Sequence, residues 1–229
     1  MLAAVAAAGA LLVGCSGNDG EPSREVLGPP ERCTQTECPE LSVPGVKRVG
    51  DSGVTPENRA DAVPLYLSAV LDDLDMIWGD WFAELNIEEA STGRLLIKPG
   101  TSFTSECKLD GEQLSIPSDF PNAFYCSLDE QSDGQGTTRT GSVVLPVDTF
   151  AEIWEGKLMG QRSFMLGDFT AATIVAHEYG HHVMYRLAEA YDLSVEDFPG
   201  GANNAELLAD CFAGNWAATV AARNDLSLK

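Results

Sequence analysis

The sequence predicts an α+β domain, mostly helical with a small β-sheet, and three observations carry that prediction. Apolar residues recur at steps of three and four over long stretches, and two short β-rich runs lie between them. One of the helical stretches holds all three histidines of the chain. With 229 residues, 44% of them hydrophobic, the chain can build one ordinary core and still carry a tail.

Taken in order, Ala62 to Leu85 places Val63, Leu67, Val70, Leu71, Leu74, Ile77, Trp78, Trp81, Phe82 and Leu85 on a wide apolar face, which predicts an amphipathic helix in need of a partner. Arg94 to Lys98 reads as a short strand ending at Pro99-Gly100, and Ser142 to Val147 as a second. The stretch between them reads as loop, limited by a disulfide. Phe150 to Glu155 reads as a short helix and residues 156–167 as irregular chain. A long helix is expected from Asp168, as N-cap, to Tyr191. After a breaker at Pro199-Gly200-Gly201, a last helix runs from Asn203 or Asn204 to about Arg223.

The N-terminal part reads differently. Met1 to Gly14 is apolar and uncharged, too short to span a bilayer but suited to a signal peptide. With Cys15 after a small residue it resembles a bacterial lipoprotein signal, which implies acylation of Cys15 and export of a membrane-anchored protein. Residues 16–61 are rich in Gly, Pro, Ser and Glu without periodicity and read as a flexible tether, leaving 62–229 as the folded domain. In an oxidising compartment thiols pair, so Cys33 with Cys38 and Cys107 with Cys126 are the expected disulfides, with Cys211 a buried small hydrophobe. The 14 basic against 35 acidic residues give a net charge of -21, which repels nucleic acid.

His177-Glu178-Tyr179-Gly180-His181 fits the H-E-x-x-H pattern. Residues four apart share a helix side, so His177 and His181 can both aim a ring nitrogen at one ion. Glu178, one step round, can reach a water on that ion without ligating it. His182 points about 100° away from His181 and reads as a surface or supporting histidine. A catalytic zinc needs a third protein ligand and an open position. Leu187 stands where a third histidine would, so the carboxylate of a following helix is the alternative, and Glu206 fits. Asp210, four residues on, could then accept the free ring N–H of His177. The competing reading makes both carboxylates ordinary solvent-facing acids, although Ala205, Leu207, Leu208, Ala209, Cys211 and Phe212 around them are mostly apolar.

On Gly167-Asp168-Phe169, Val175-Ala176-His177-Glu178-Tyr179-Gly180-His181-His182-Val183 and Glu206 to Ala217, with Cys107 and Phe124-Tyr125-Cys126, the chain resembles the neutral zinc metallopeptidase family of bacteria. The resemblance implies a zincin-like, gluzincin-type fold with two consecutive active-site helices. It also implies Zn2+ held by His177, His181 and Glu206, with Glu178 as catalytic acid/base acting on a peptide or protein substrate. Ser142 to Val147 is the expected cleft edge. The rival expectation is a non-catalytic zinc-binding surface lipoprotein that binds a partner, and hydrolysis of a non-peptide amide fits the same residues.

Overall fold

Helical spacing becomes four helices among the described residues of the computed structural model, which are 40–87, 91–109, 111–132, 138–139, 141–158, 160–194 and 204–226. Helix α1 spans Arg59–Glu84, α2 Val147–Trp154, α3 Gly167–Ala190 and α4 Ala205–Ala222. The strands are β1 Gly93–Ile97, β2 Ser102–Leu109, β3 Glu112–Pro117, β4 Phe124–Cys126, β5 Gln131–Ser132, β6 Thr138–Arg139, β7 Ser142–Pro146, β8 Lys157–Leu158 and β9 Gln161–Arg162. The class is α+β, as expected.

The apolar face of α1 is buried from Val63 to Phe82 and packs on α3 and α4, with Trp78 edge-on to Phe212 at 5.6 Å between ring centroids. Three helices finish the same way. Asn86, Asp192 and Asn224 take positive φ just beyond α1, α3 and α4, a left-handed stop that short polar side chains tolerate.

The main sheet has the order β1-β7-β4, with β1 parallel and β4 antiparallel to β7. Central β7 is buried at every position and paired on both sides, so Ser142–Pro146 cannot form a cleft edge; the edges of this sheet are β1 and β4.

Two further expectations are corrected. The stretch expected to be loop contains the hairpin β2–β3, the strand β4 and the small ladder β5–β6. Its strands bury few apolar side chains, only Ile116 in β3, so the alternation that marks a strand is missing. Polar contacts substitute. Buried Asp129 accepts the Ser105 hydroxyl at 2.7 Å and the Glu106 N–H at 2.7 Å beside an irregularity in β2, and Cys107 is disulfide-bonded to Cys126. Residues 156–167, expected to be irregular, contain the β8–β9 hairpin.

Helix α3 begins one residue before Asp168, and that carboxylate does not cap it. It accepts the Ser52 N–H (2.7 Å) and hydroxyl (2.5 Å) and the Trp154 indole N–H (2.9 Å). Residues 40–58 form no helix or strand, yet part of this stretch is docked on the domain. Asp225, buried just after α4, accepts the backbone N–H groups of Arg48 (2.7 Å), Val49 (3.1 Å) and Gly50 (2.8 Å). Cys15, Cys33 and Cys38, and with them the expected lipidation and the 33–38 disulfide, lie outside the described residues.

Candidate metal centre

Glycine decides how closely the two site helices approach. A Cβ on Gly180 would come within 2.6 Å of the Ala209 carbonyl oxygen and 2.9 Å of the Ala209 Cα, backbone atoms that cannot swing aside. The bare Gly180 therefore lets α3 and α4 meet where the histidines of one face the carboxylates of the other. Cys211, beside Asp210, is disulfide-bonded and half-buried, which corrects the expectation of a buried free thiol.

At this crossing His177, His181 and Glu206 come together, each with one donor atom within 4.8 Å of the others. His177 Nε2 lies 3.0 Å from Glu206 Oε2, and His181 Nε2 lies 3.6 Å from Glu206 Oε1. On the far side of the first ring, His177 Nδ1 meets Asp210 Oδ1 at 2.8 Å. That contact places a hydrogen on Nδ1, because the carboxylate can only accept. The lone pair of a neutral Nε2 then faces the lone pairs of Glu206, a juxtaposition stable only with a proton or a cation between them.

The spacings fit a metal. Donors about 2.0–2.1 Å from a tetrahedral zinc stand roughly 3.4 Å apart, and the two oxygens of Glu206 approach the rings at 3.0 and 3.6 Å, one oxygen to each ring. Two nitrogens and a carboxylate oxygen are a zinc donor set. The Glu206 side chain is 72% exposed, so the cluster is open on the α4 side.

Electrostatics separates the two rings. Burial disfavours charge on both. At His177 the Asp210 hydrogen bond and the nearby Glu178 and Glu206 outweigh it, and the pKa is raised. At His181 burial prevails over Glu206, with His177 adding to the depression. Glu178, 8% exposed, has its carboxyl pushed up to about 8 by burial, against the pull of His177 and of a hydrogen bond from the Tyr125 N–H.

That last contact ties β4 to the site. Because β4 pairs with β7 on one side, the Tyr125 N–H that reaches Glu178 points off the open edge of the sheet. The Tyr125 ring lies over Gly141, where a Cβ would strike its hydroxyl at 2.1 Å. His182 is not a surface residue. It is fully buried, with Tyr125 Oη 3.4 Å from its Nδ1 and the Tyr179 ring edge-on at 5.2 Å. Tyr179, also fully buried, donates its hydroxyl to Asp75 at 2.8 Å, and Asp75 is held by Arg94.

Residues 47–229 match the family described as putative neutral zinc metallopeptidase. The chain belongs to that family. Its motif helix α3, the carboxylate-bearing α4 and the β4 edge all fall within the matched region. Membership implies zinc and peptide substrates. No curated protein and no solved structure matches the chain.

Sequence reasoning missed the buried charges that hold the family domain together. Asp73, fully buried, accepts the Trp216 indole N–H at 2.8 Å and pairs with Arg223 and Arg48. A signal was present: Asp73 falls between Val70 and Ile77 on the apolar side of α1, where an acid needs a partner.

Proposed function

We propose that this member of the family hydrolyses peptide bonds with a zinc ion held by His177, His181 and Glu206, as an exported lipoprotein anchored to a membrane through Cys15. The observation that carries the reading is the His177 ring, fixed by Asp210 on one nitrogen and turned with the other onto Glu206. Zinc in this set supplies Lewis acidity toward a substrate carbonyl and lowers the pKa of water.

The chain's own groups do the rest. Asp210 holds the hydrogen on His177 Nδ1 and so keeps Nε2 basic. The Glu178 carboxylate takes a proton from the attacking water and returns it to the leaving amine, a role suited to a carboxyl whose pKa lies near neutrality. The Tyr125 N–H orients that carboxylate. An extended peptide adds along the open edge of β4, which brings its backbone to Glu178. The zincin-like character of the domain rests on this arrangement of two successive helices and one edge strand.

The test compares the purified chain with Glu178→Gln for bound zinc and for cleavage of an unfolded protein. Both forms are expected to hold one zinc, and the variant to lose a factor of about 10² to 10⁴ in rate, as expected for loss of a general base. Bound zinc with no cleavage by either form would favour a non-catalytic partner-binding lipoprotein instead. For the anchor, Cys15→Ser is expected to move the protein from the membrane to the soluble fraction of fractionated cells, and an unchanged distribution would refute lipidation.

A further inference from the structure

An apolar pocket opens beside the candidate metal centre and has no part in holding a metal or moving a proton. Its floor is made by buried Ala123, Phe150 and Ile153, and its rim by half-buried Thr149, Leu158 and Ile174. Two of its walls continue the elements that build the site. Ile174 lies on α3 one turn before His177 and Glu178, on the same side of the helix. Ala123 immediately precedes β4, two residues from the Tyr125 whose N–H reaches Glu178.

We infer that this pocket is a specificity subsite that receives one apolar side chain of the peptide substrate, with Ile174 as the residue that limits its size. The inference rests on the proposed peptidase reading. A chain extended along the β4 edge rises about 3.3 Å per residue, so a bond held at Glu178 puts the side chain one or two residues away over Ala123 and Ile174. The pocket encloses about 240 Å³ including its open mouth. That volume counts the solvent at the mouth and is an upper bound, so the recess takes no more than a single side chain. Its wall is almost wholly apolar, so a charged residue would lose its hydration there without a partner. Leu, Ile, Met or Phe is the class of residue it accepts. The net charge of -21 has no counterpart among these lining residues, so selection here is by shape and burial.

The experiment uses the zinc-loaded full chain and a set of quenched fluorescent peptides that differ at one position near the cleaved bond, carrying Gly, Asp, Lys, Val, Leu or Phe. Wild type is expected to prefer Leu over Gly and Asp by at least about tenfold in kcat/KM. Ile174→Ala is expected to move the preference toward Phe by about tenfold in kcat/KM relative to Leu. Leu158→Ala, on the two-residue strand β8, serves as the second variant should Ile174→Ala fold poorly, with a shift in the same direction. Binding of the same peptides to Glu178→Gln by fluorescence anisotropy is a readout that needs no turnover, and should show the same order. Cleavage with the residue preference unchanged in both variants would overturn the subsite and leave the peptidase reading intact. Cleavage of none of the peptides by wild type, with no binding to Glu178→Gln, would overturn both.

Discussion

The two ends of α4 carry similar groups in opposite states. At its start Glu206 and Asp210, both largely exposed, face two histidines across an open crossing, and among the described residues no Lys or Arg pairs with either. At its end Asp73 and Asp225 are fully buried, and Arg223 bridges them with only 2% of its side chain exposed. Indole and backbone N–H groups contribute further hydrogen bonds. The closed end is neutralised by the chain itself. The open end leaves its carboxylates and ring nitrogens facing one another, the arrangement that the proposed zinc would complete.

The difference can be broken from either side. The largest effect is expected at the closed end: Arg223→Met leaves two buried carboxylates short of their cation and should cost about 3–5 kcal/mol of unfolding free energy, read by urea titration. Zinc bound per folded molecule should not change, and a parallel fall in zinc affinity would show that the two ends are coupled. At the open end Asp210→Ala should lower zinc affinity by about 10- to 100-fold, measured by competition with a chelator, while the unfolding midpoint of the metal-free protein stays within the ordinary range for a surface change.

The smallest effect, and the one that sharpens the contrast most, is the response to pH. Burial raises the Asp225 carboxyl, but three backbone N–H groups and Arg223 lower it further, so its folded pKa lies below the unfolded value of about 3.9. Its contribution is present above that value and disappears as pH falls through the folded pKa. His177 has a raised folded pKa, so in metal-free protein its contribution is full below about 6.5 and disappears as pH rises through the folded value. Glu178, with its carboxyl pushed up to about 8, adds a loss in the same range, and His181, whose pKa is lowered, opposes it. Metal-free protein should therefore lose stability from about pH 6 to about pH 8.5, and His177→Gln should lose less. A pH dependence identical in His177→Gln and wild type would place the proton elsewhere.

How much of this could be read beforehand depended on the kind of signal. Helices announced themselves through apolar spacing, and the ends of α1, α3 and α4 fall within three residues of the expected positions. The motif histidines and the pairing of His177 with Asp210 were legible because four-residue steps on a helix fix direction. The β2–β4 region was not, because it is held by Asp129 and a disulfide rather than by an alternating apolar face. Gly180 fills a position that the H-E-x-x-H pattern leaves open, and its role appears only when the Ala209 backbone is placed against it. The partner of Asp73 lies 150 residues away, a distance over which no local pattern operates.

The docking of residues 48–50 on Asp225 has a mechanical meaning. With α4 18 residues long, its two ends are about 27 Å apart. Load that reaches Arg48–Gly50 passes into Asp225 and Arg223 at the end remote from Glu206, while the disulfide of Cys211 holds α4 at a second point, one residue from Asp210. The helix is thus pinned near both ends, like a beam on two supports, which fixes how Glu206 and Asp210 stand against the histidines of α3.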